Sequence, residues 1–238
     1  MVHRFIVLLT LILLVVLAWD SVYAENKVLS LDGDGDYVRI PASVWFNGDL
    51  SIEAWVYVKE YTPWSRVIDF GNGADNVLVR LSRGTTGIPD FYIVESGWMG
   101  IECSTALELN SWTHIACTLK GNSGSLFING HAVGKEIFAS PPRDVERQNN
   151  FIGRSNWKIN DDSHAMFDEI RIWNVSRSAT EIQGAMNTSL SGDEKGLLGY
   201  WNFNDGTAKD LTPNGNDGEM KGDAQIVNLN DLPGWRKL

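Results

Sequence analysis

The strongest constraint on this chain is a succession of short segments rich in β-branched and aromatic residues, cut apart by Gly, Asn and Asp. Leu50-Ser51-Ile52-Glu53-Ala54-Trp55-Val56-Tyr57-Val58 sets the pattern. In an extended chain Ile52, Ala54, Val56 and Val58 fall on one face, and Ser51, Glu53, Trp55 and Tyr57 on the other. Thr113–Leu119 and Ser125–Ile128 read the same way. Asn129-Gly130 is the strongest short hairpin signal, because both turn residues of that hairpin need positive φ, and it pairs Ser125–Ile128 with His131–Ile137. Further strands are expected at Tyr37–Ile40, Arg66–Phe70, Val77–Leu81, Phe91–Val94, Phe151–Gly153, Phe167–Trp173 and Leu197–Phe203. One short helix is expected near 178–187. Ser178-Ala179-Thr180-Glu181 forms a capping box, and Ile182, Ala185 and Met186 then recur at helical spacing. Many short strands without strand–helix alternation predict an all-β fold, an antiparallel two-sheet sandwich of the jelly-roll kind.

The N-terminus has the parts of a secretory signal peptide. A short start with Arg4 precedes an apolar run from Phe5 to Trp19 and a Val22-Tyr23-Ala24 end. Cleavage is expected after Ala24, with an uncleaved anchor as the alternative. The mature chain then reads as one domain over 25–232, with 233–238 as a C-terminal tail. It is expected to be secreted or extracellular, at the cell surface or in the periplasm, with no membrane insertion after cleavage.

The formal net charge is −10. An acidic balance argues against nucleic acid or an anionic membrane as partner. Of the two cysteines, Cys103 and Cys117, an even count in an exported chain reads as a disulfide. Closing a loop of about 15 residues would add roughly 3 kcal/mol of stability on the chain-entropy argument. Two buried, reduced thiols are the alternative.

Several motifs taken in order resemble laminin-G-like jelly-roll domains of the concanavalin A-like lectin/glucanase superfamily, which is related to pentraxins. Leu31-Asp32-Gly33-Asp34-Gly35-Asp36-Tyr37-Val38 resembles their opening, and Leu50–Val56 their "fTiEaWv" strand. Asn110–Ala116 is similar to "W-x-HvA", and Leu126–Gly130 to the "lyvNG" hairpin. Phe167–Trp173 is similar to "fDEvRiw", and Gly196–Gly206 to "GLvgYWxFdeG". The resemblance implies binding of carbohydrate or of an extracellular protein, often with a structural calcium ion. The cysteine pair also resembles the pentraxin arrangement. The stretch Ile152–Lys158, where pentraxins hold calcium, lacks carboxylates here.

Calcium takes several oxygen ligands. Asp32, Asp34 and Asp36 offer carboxylates at alternate positions, without the spacing of an EF-hand loop. By resemblance, Asp32 and Asp168 are the expected ligands; Asn204, Asp205 and Asp210 are secondary candidates, since Asp-rich turns also form for backbone reasons alone. Ten tryptophans are present. An indole offers a flat apolar face to the core or to a sugar ring. Trp55, Trp112, Trp173 and Trp201 fall in strand patterns and read as core. Trp64, Trp98 and Trp157 fall in loop-like stretches and are the candidate ligand-binding residues. A glycoside hydrolase is the remote alternative. It needs two carboxylates on one cleft, and Asp168-Glu169, being adjacent in a strand, should point to opposite faces. No nucleophile elbow, phosphate loop or dinucleotide fingerprint is present, so a non-catalytic binding domain is expected.

Overall fold

The computed structural model describes residues 26–44 and 46–231. The signal segment 1–24 and the tail 233–238 lie outside the described residues. The strands are β1 (Lys27–Asp32), β2 (Tyr37–Ile40), β3 (Leu50–Val58), β4 (Arg66–Asn72), β5 (Asp75–Arg80), β6 (Asp90–Val94), β7 (Trp98–Glu102) and β8 (Trp112–Lys120). They continue with β9 (Ser123–Ile128), β10 (His131–Ile137), β11 (Asn149–Ile152), β12 (His164–Trp173), β13 (Leu197–Trp201), β14 (Glu219–Lys221) and β15 (Gln225–Asn228). Among the described residues one helix, α1, spans Ala179–Ala185, and a 3-10 turn spans Leu229–Asp231.

The strands form two antiparallel sheets. One runs β10-β9-β8-β3-β12-β1-β15, with β13 also paired to β12, and the other runs β14-β2-β11-β4-β5-β6-β7. We call them the first and second sheets. The predicted all-β sandwich is therefore the fold. Its core lies between the sheets, where Ile52, Ala54, Val56 and Val58 of β3 meet Ile68 and Phe70 of β4, Val77 and Val79 of β5 and Phe91 of β6. The hairpin forms as expected: Asn129 and Gly130 have φ of 49° and 75°, and His131 pairs with Ile128.

The opposite face of β3 is buried too, which simple alternation does not foretell. Trp55 packs with Trp112, Met166 and Leu229, while Ile182 of α1 sits on Ala116 and Phe127. The helix is held where the sequence placed it. Ser178 accepts from the Glu181 N–H, Glu181 caps in return, and the Trp55 and Gln183 side chains donate to the Met186 and Gly130 carbonyls. This cover also closes over a charged network. Arg171 donates to Glu169 (2.6 Å) and to the Thr188 carbonyl (2.7 Å), and Tyr200 donates to Glu169 (2.8 Å).

Three expectations need correction. Trp98 does not lie in a loop: it opens β7, an edge strand of the second sheet. Asp168 and Glu169 do not alternate simply, because β12 bulges between Asp168 and Arg171 and Glu169 takes φ of 52°. Both carboxylates are buried, at 0% and 3% exposure, with Glu169 engaged by Arg171, Tyr200 and Ser189. Finally, Cys103 and Cys117 are free buried thiols and not a disulfide. Cys117 points into the core from β8 of the first sheet, where burial pushes its thiol pKa up and so disfavours the reactive thiolate. Cys103 follows β7 of the second sheet, with its sulfur 3.6 Å from the Thr105 hydroxyl. Among the described residues, no helix is long and apolar enough to cross a membrane.

Candidate functional site

The outer face of the second sheet carries the tryptophans that the sequence singled out, and the fold brings all three together. On β5 and β6 the paired residues Arg80 and Asp90 are both buried, with Arg80 Nε 2.6 Å from Asp90 Oδ1. The Arg80 guanidinium lies 4.6 Å from the Tyr92 ring centre, 4.9 Å from Trp64 and 5.9 Å from Trp98. Trp98 is 5.4 Å from Trp157, their planes inclined by 32°, and 5.7 Å from Tyr92. Trp98 is 54% and Trp64 37% exposed, and Trp157 is half-buried. An arginine ringed by aromatics gains cation–π attraction and holds the rings in one arrangement.

A second buried ion pair anchors the loops that carry Trp64 and Trp157. Arg66 and Asp69 of β4 are fully buried and 3.1 Å apart. Arg66 also donates to the Trp64 carbonyl and to the Ser155 hydroxyl. Asp69 accepts from the Asn156 backbone N–H (3.2 Å) and side-chain amide (2.9 Å). The loop then sits directly on β4. A Cβ at Gly71 would come within 2.4 Å of the Asn156 amide nitrogen and the Asn76 amide oxygen, so a side chain there would have to push Asn156 off its hold on Asp69. Burial, opposed by Arg66, raises the Asp69 carboxyl pKa, and burial lowers that of Arg66. Burial likewise pushes Asp90 up to about 6 against the pull of Arg80.

Beside the aromatic cluster runs a polar cleft of about 540 Å³, lined in part by Tyr37, Phe151, Arg154, Asn156, Trp157 and Asp162. Tyr37 and Phe151 meet edge to face at 5.3 Å. Arg154 lies 3.8 Å over Tyr37 and donates to Asp162 at 2.8 Å. Trp157 belongs to both regions, so cleft and platform form one surface. Sequence reasoning missed Arg66, Arg80, Tyr92, Asp69 and Asp90. The signal of the four charged ones was their place inside apolar strand patterns, and Tyr92 carried none beyond its strand.

The expected metal ligands are not brought together. Asp32 pairs with His164 at one end of β1, whereas Asp168 lies four residues further along β12, about 13 Å away at strand rise. Asp210 accepts from the Tyr200, Thr212 and Asn216 backbone N–H groups and from the Thr212 hydroxyl, so it holds its own loop. Asp205 caps the turn at Thr207, and Asn204 accepts from the Lys27 N–H. The structure instead places Asp32 beside Asp36 and Asp223, with one carboxylate oxygen from each all within 4.8 Å of one another. Asp223 follows β14, and no sequence signal linked it to the opening loop. Three hard oxygen donors at this spacing suit a hard cation. Burial and the neighbouring Asp32 and Asp223 charges raise the Asp36 carboxyl pKa, and a cation would relieve that repulsion. Of the histidines, His114 is packed against Glu53 at 3.7 Å, in keeping with a core role.

The sequence profile of the concanavalin A-like lectin/glucanases superfamily matches residues 32–183. Among curated proteins, none matches the chain in sequence. Solved structures do resemble it. One is a Bacteroides ovatus protein provisionally assigned as carbohydrate-binding, with 17% identity, TM-score 0.67, 87% of this chain covered and 60% of that one. Another is domain 4 of AbnA, an extracellular arabinanase of Geobacillus stearothermophilus, solved with arabinotriose, with 16% identity, TM-score 0.55, 66% of this chain and 80% of that one. A third is a heptameric SAP-like pentraxin of Limulus polyphemus, with 8% identity, TM-score 0.63, 87% of this chain and 97% of that one. At these identities the likeness establishes a shared fold. The chain spans about three fifths of the Bacteroides protein.

Proposed function

The chain belongs to the concanavalin A-like lectin/glucanase superfamily, and from that premise we propose that it is a secreted, non-catalytic carbohydrate-binding protein whose ligand lies on the outer face of the second sheet. One observation carries the reading: Trp64, Trp98, Trp157 and Tyr92 converge on one open face around a buried arginine, beside a polar cleft. Flat apolar rings next to a few fixed polar groups are what a sugar ring, with its apolar face and hydroxyl rim, requires. The provisional carbohydrate-binding assignment of the Bacteroides protein and the arabinotriose complex of the Geobacillus domain agree with it. Calcium enters the proposal as a structural ion at Asp32, Asp36 and Asp223, pinning the opening loop to the end of β14 next to the Tyr37 end of the cleft.

A second reading, an extracellular protein-interaction module, is favoured by Ile159. This residue is 89% exposed on the loop that carries Trp157, and such apolar exposure beside aromatics suits a protein interface. The deciding experiment is a glycan and polysaccharide screen of the mature protein, with calcium and with chelator. The Trp98→Ala/Trp157→Ala double variant serves as control. Saturable binding that the double variant loses supports the lectin. A folded protein that binds no glycan favours the protein partner.

A further inference from the structure

Two properties of this face narrow its ligand: its length and the state of its charges. The aromatic residues are spread across the sheet. Tyr37 lies on β2, Phe151 on β11, Tyr92 on β6 and Trp98 on β7, with Trp157 bridging cleft and platform. In the order β2-β11-β4-β5-β6-β7, the run from Tyr37 to Trp98 crosses five strand spacings, about 24 Å at roughly 4.8 Å each. It ends at β7, the edge of the sheet, where nothing in the pairing blocks a chain from running on.

Four of the arginines bordering this run are already compensated, and a fifth, the exposed Arg39 beside Phe151, stands opposite Glu219 in the β14–β2 register. Arg66 is held by Asp69 (3.1 Å), Arg80 by Asp90 (2.6 Å), Arg83 by Glu102 (2.7 Å) and Arg154 by Asp162 (2.8 Å). A carboxylate or sulfate is best recognised by a free guanidinium fork. Here those four forks are filled, two of them by buried carboxylates that an incoming anion would have to displace. Lys158 is the one further cation among the cleft-lining residues, and the net charge of −10 repels polyanions from a distance. The polar groups left to face a ligand include the Asn149 side chain and the amide oxygens of Asn156 and Asn160, whose NH2 groups are held by Asp69, the Asn149 carbonyl and Ser155; these suit hydroxyls.

We infer that this face binds the interior of a neutral polysaccharide, laid across the strands, and neither an acidic glycan nor a single terminal sugar. The inference rests on the carbohydrate reading above and narrows it. It predicts that affinity climbs with oligosaccharide length and levels off only when the chain spans the face. It also predicts that binding is insensitive to salt, and that both ends of the run contribute.

The test is titration calorimetry of the whole mature protein with neutral polymers (arabinan, xylan, mannan and β-glucan) and their oligomer series. Polygalacturonate and heparin are run alongside at low and high salt. The expected result is binding to a neutral polymer with little change in salt. Trp98→Ala at one end should weaken the long chain about 20-fold, and Phe151→Ala, beside Tyr37 near the other, should weaken it by roughly tenfold, as loss of one aromatic contact does. Glu102→Gln, which releases Arg83 while keeping an acceptor for the Tyr92 hydroxyl (2.8 Å), should add salt-sensitive binding of polygalacturonate. Three results would overturn the inference in distinguishable ways. Tighter, salt-sensitive binding of the acidic polymers that Trp98→Ala abolishes would refute the neutral ligand and leave the carbohydrate reading standing. A disaccharide that binds as tightly as the polymer would refute the extended site alone. A protein with native near-UV circular dichroism that binds none of these polymers would remove both the inference and the reading beneath it.

Discussion

Replacing Asp69 by Ala tests whether the buried ion pair of β4 is what holds the ligand face together. Asp69 is fully buried and takes three hydrogen bonds, from Arg66 Nε and from the Asn156 backbone and side-chain amides. Its removal strands a fully buried guanidinium. Breaking a buried pair from one side costs about 3–5 kcal/mol. In a domain of this size each kcal/mol lowers Tm by about 2–4 °C, so a fall of about 6–20 °C is expected. The charge is not itself the source of stability, since burial pushes the Asp69 pKa up and the Arg66 pKa down. The paired change Arg66→Met/Asp69→Leu should therefore recover most of the loss, as apolar replacements of buried ion pairs do. It should not recover ligand binding, because Asn156 still lacks its acceptor and Trp157 rides on that loop. Thermal unfolding followed by circular dichroism gives the stabilities, and tryptophan fluorescence reports on the cluster. A loss below about 1 kcal/mol for Asp69→Ala, or a double variant no better than the single one, would refute the argument.

Four further outcomes follow from the same geometry. Trp98 leaves 54% of its surface open. A sugar covering about 70 Å² of it at roughly 25 cal/mol/Å² contributes about 1.7 kcal/mol, so Trp98→Ala should raise Kd about 20-fold with little change in Tm; this is read by calorimetry. Ser178→Ala removes the α1 cap and should cost about 1 kcal/mol, seen as a small fall in Tm. Asp90, with its carboxyl raised from 3.8 to about 6, binds its proton more tightly folded than unfolded. Its contribution to stability is thus fully present below pH 4 and is lost as pH rises through about 6, a swing on the order of 3 kcal/mol. A Tm series over that range should show this slope for the native chain and lose it in Asp90→Asn. Calcium should raise Tm through Asp32, Asp36 and Asp223, and Asp36→Asn should abolish the increase.

The strands that alternate cleanly were legible. β3 and β10 occupy the residues their patterns marked, the Asn129-Gly130 hairpin formed, and α1 begins at its capping box. These are local signals, written in residues that touch their neighbours in sequence. The strands β1, β7, β14 and β15 went unrecognised. β14 and β15 are three and four residues long, and only β2 and β1 give them partners. Such segments become strands because an edge is available, which is a property of the sheet and not of the segment.

The proposed ligand face divides in the same way. Local context, with Pro63, Gly97 and Asn156 beside them, marked Trp64, Trp98 and Trp157 as tryptophans outside a strand core. Their convergence was decided by sheet order, which sets β4 beside β5 and β6 beside β7 and so brings residues nearly a hundred apart in sequence onto one face. The acidic residues show the opposite outcome. Asp32 and Asp168 looked like partners, but the β1–β12 register holds them four residues apart, while β14 delivers Asp223 to Asp32 and Asp36. Sequence determined which faces are apolar, where the chain turns and which side chains have chemistry to offer. Register and strand order, fixed only by burying all those apolar faces at once, decided which of them meet.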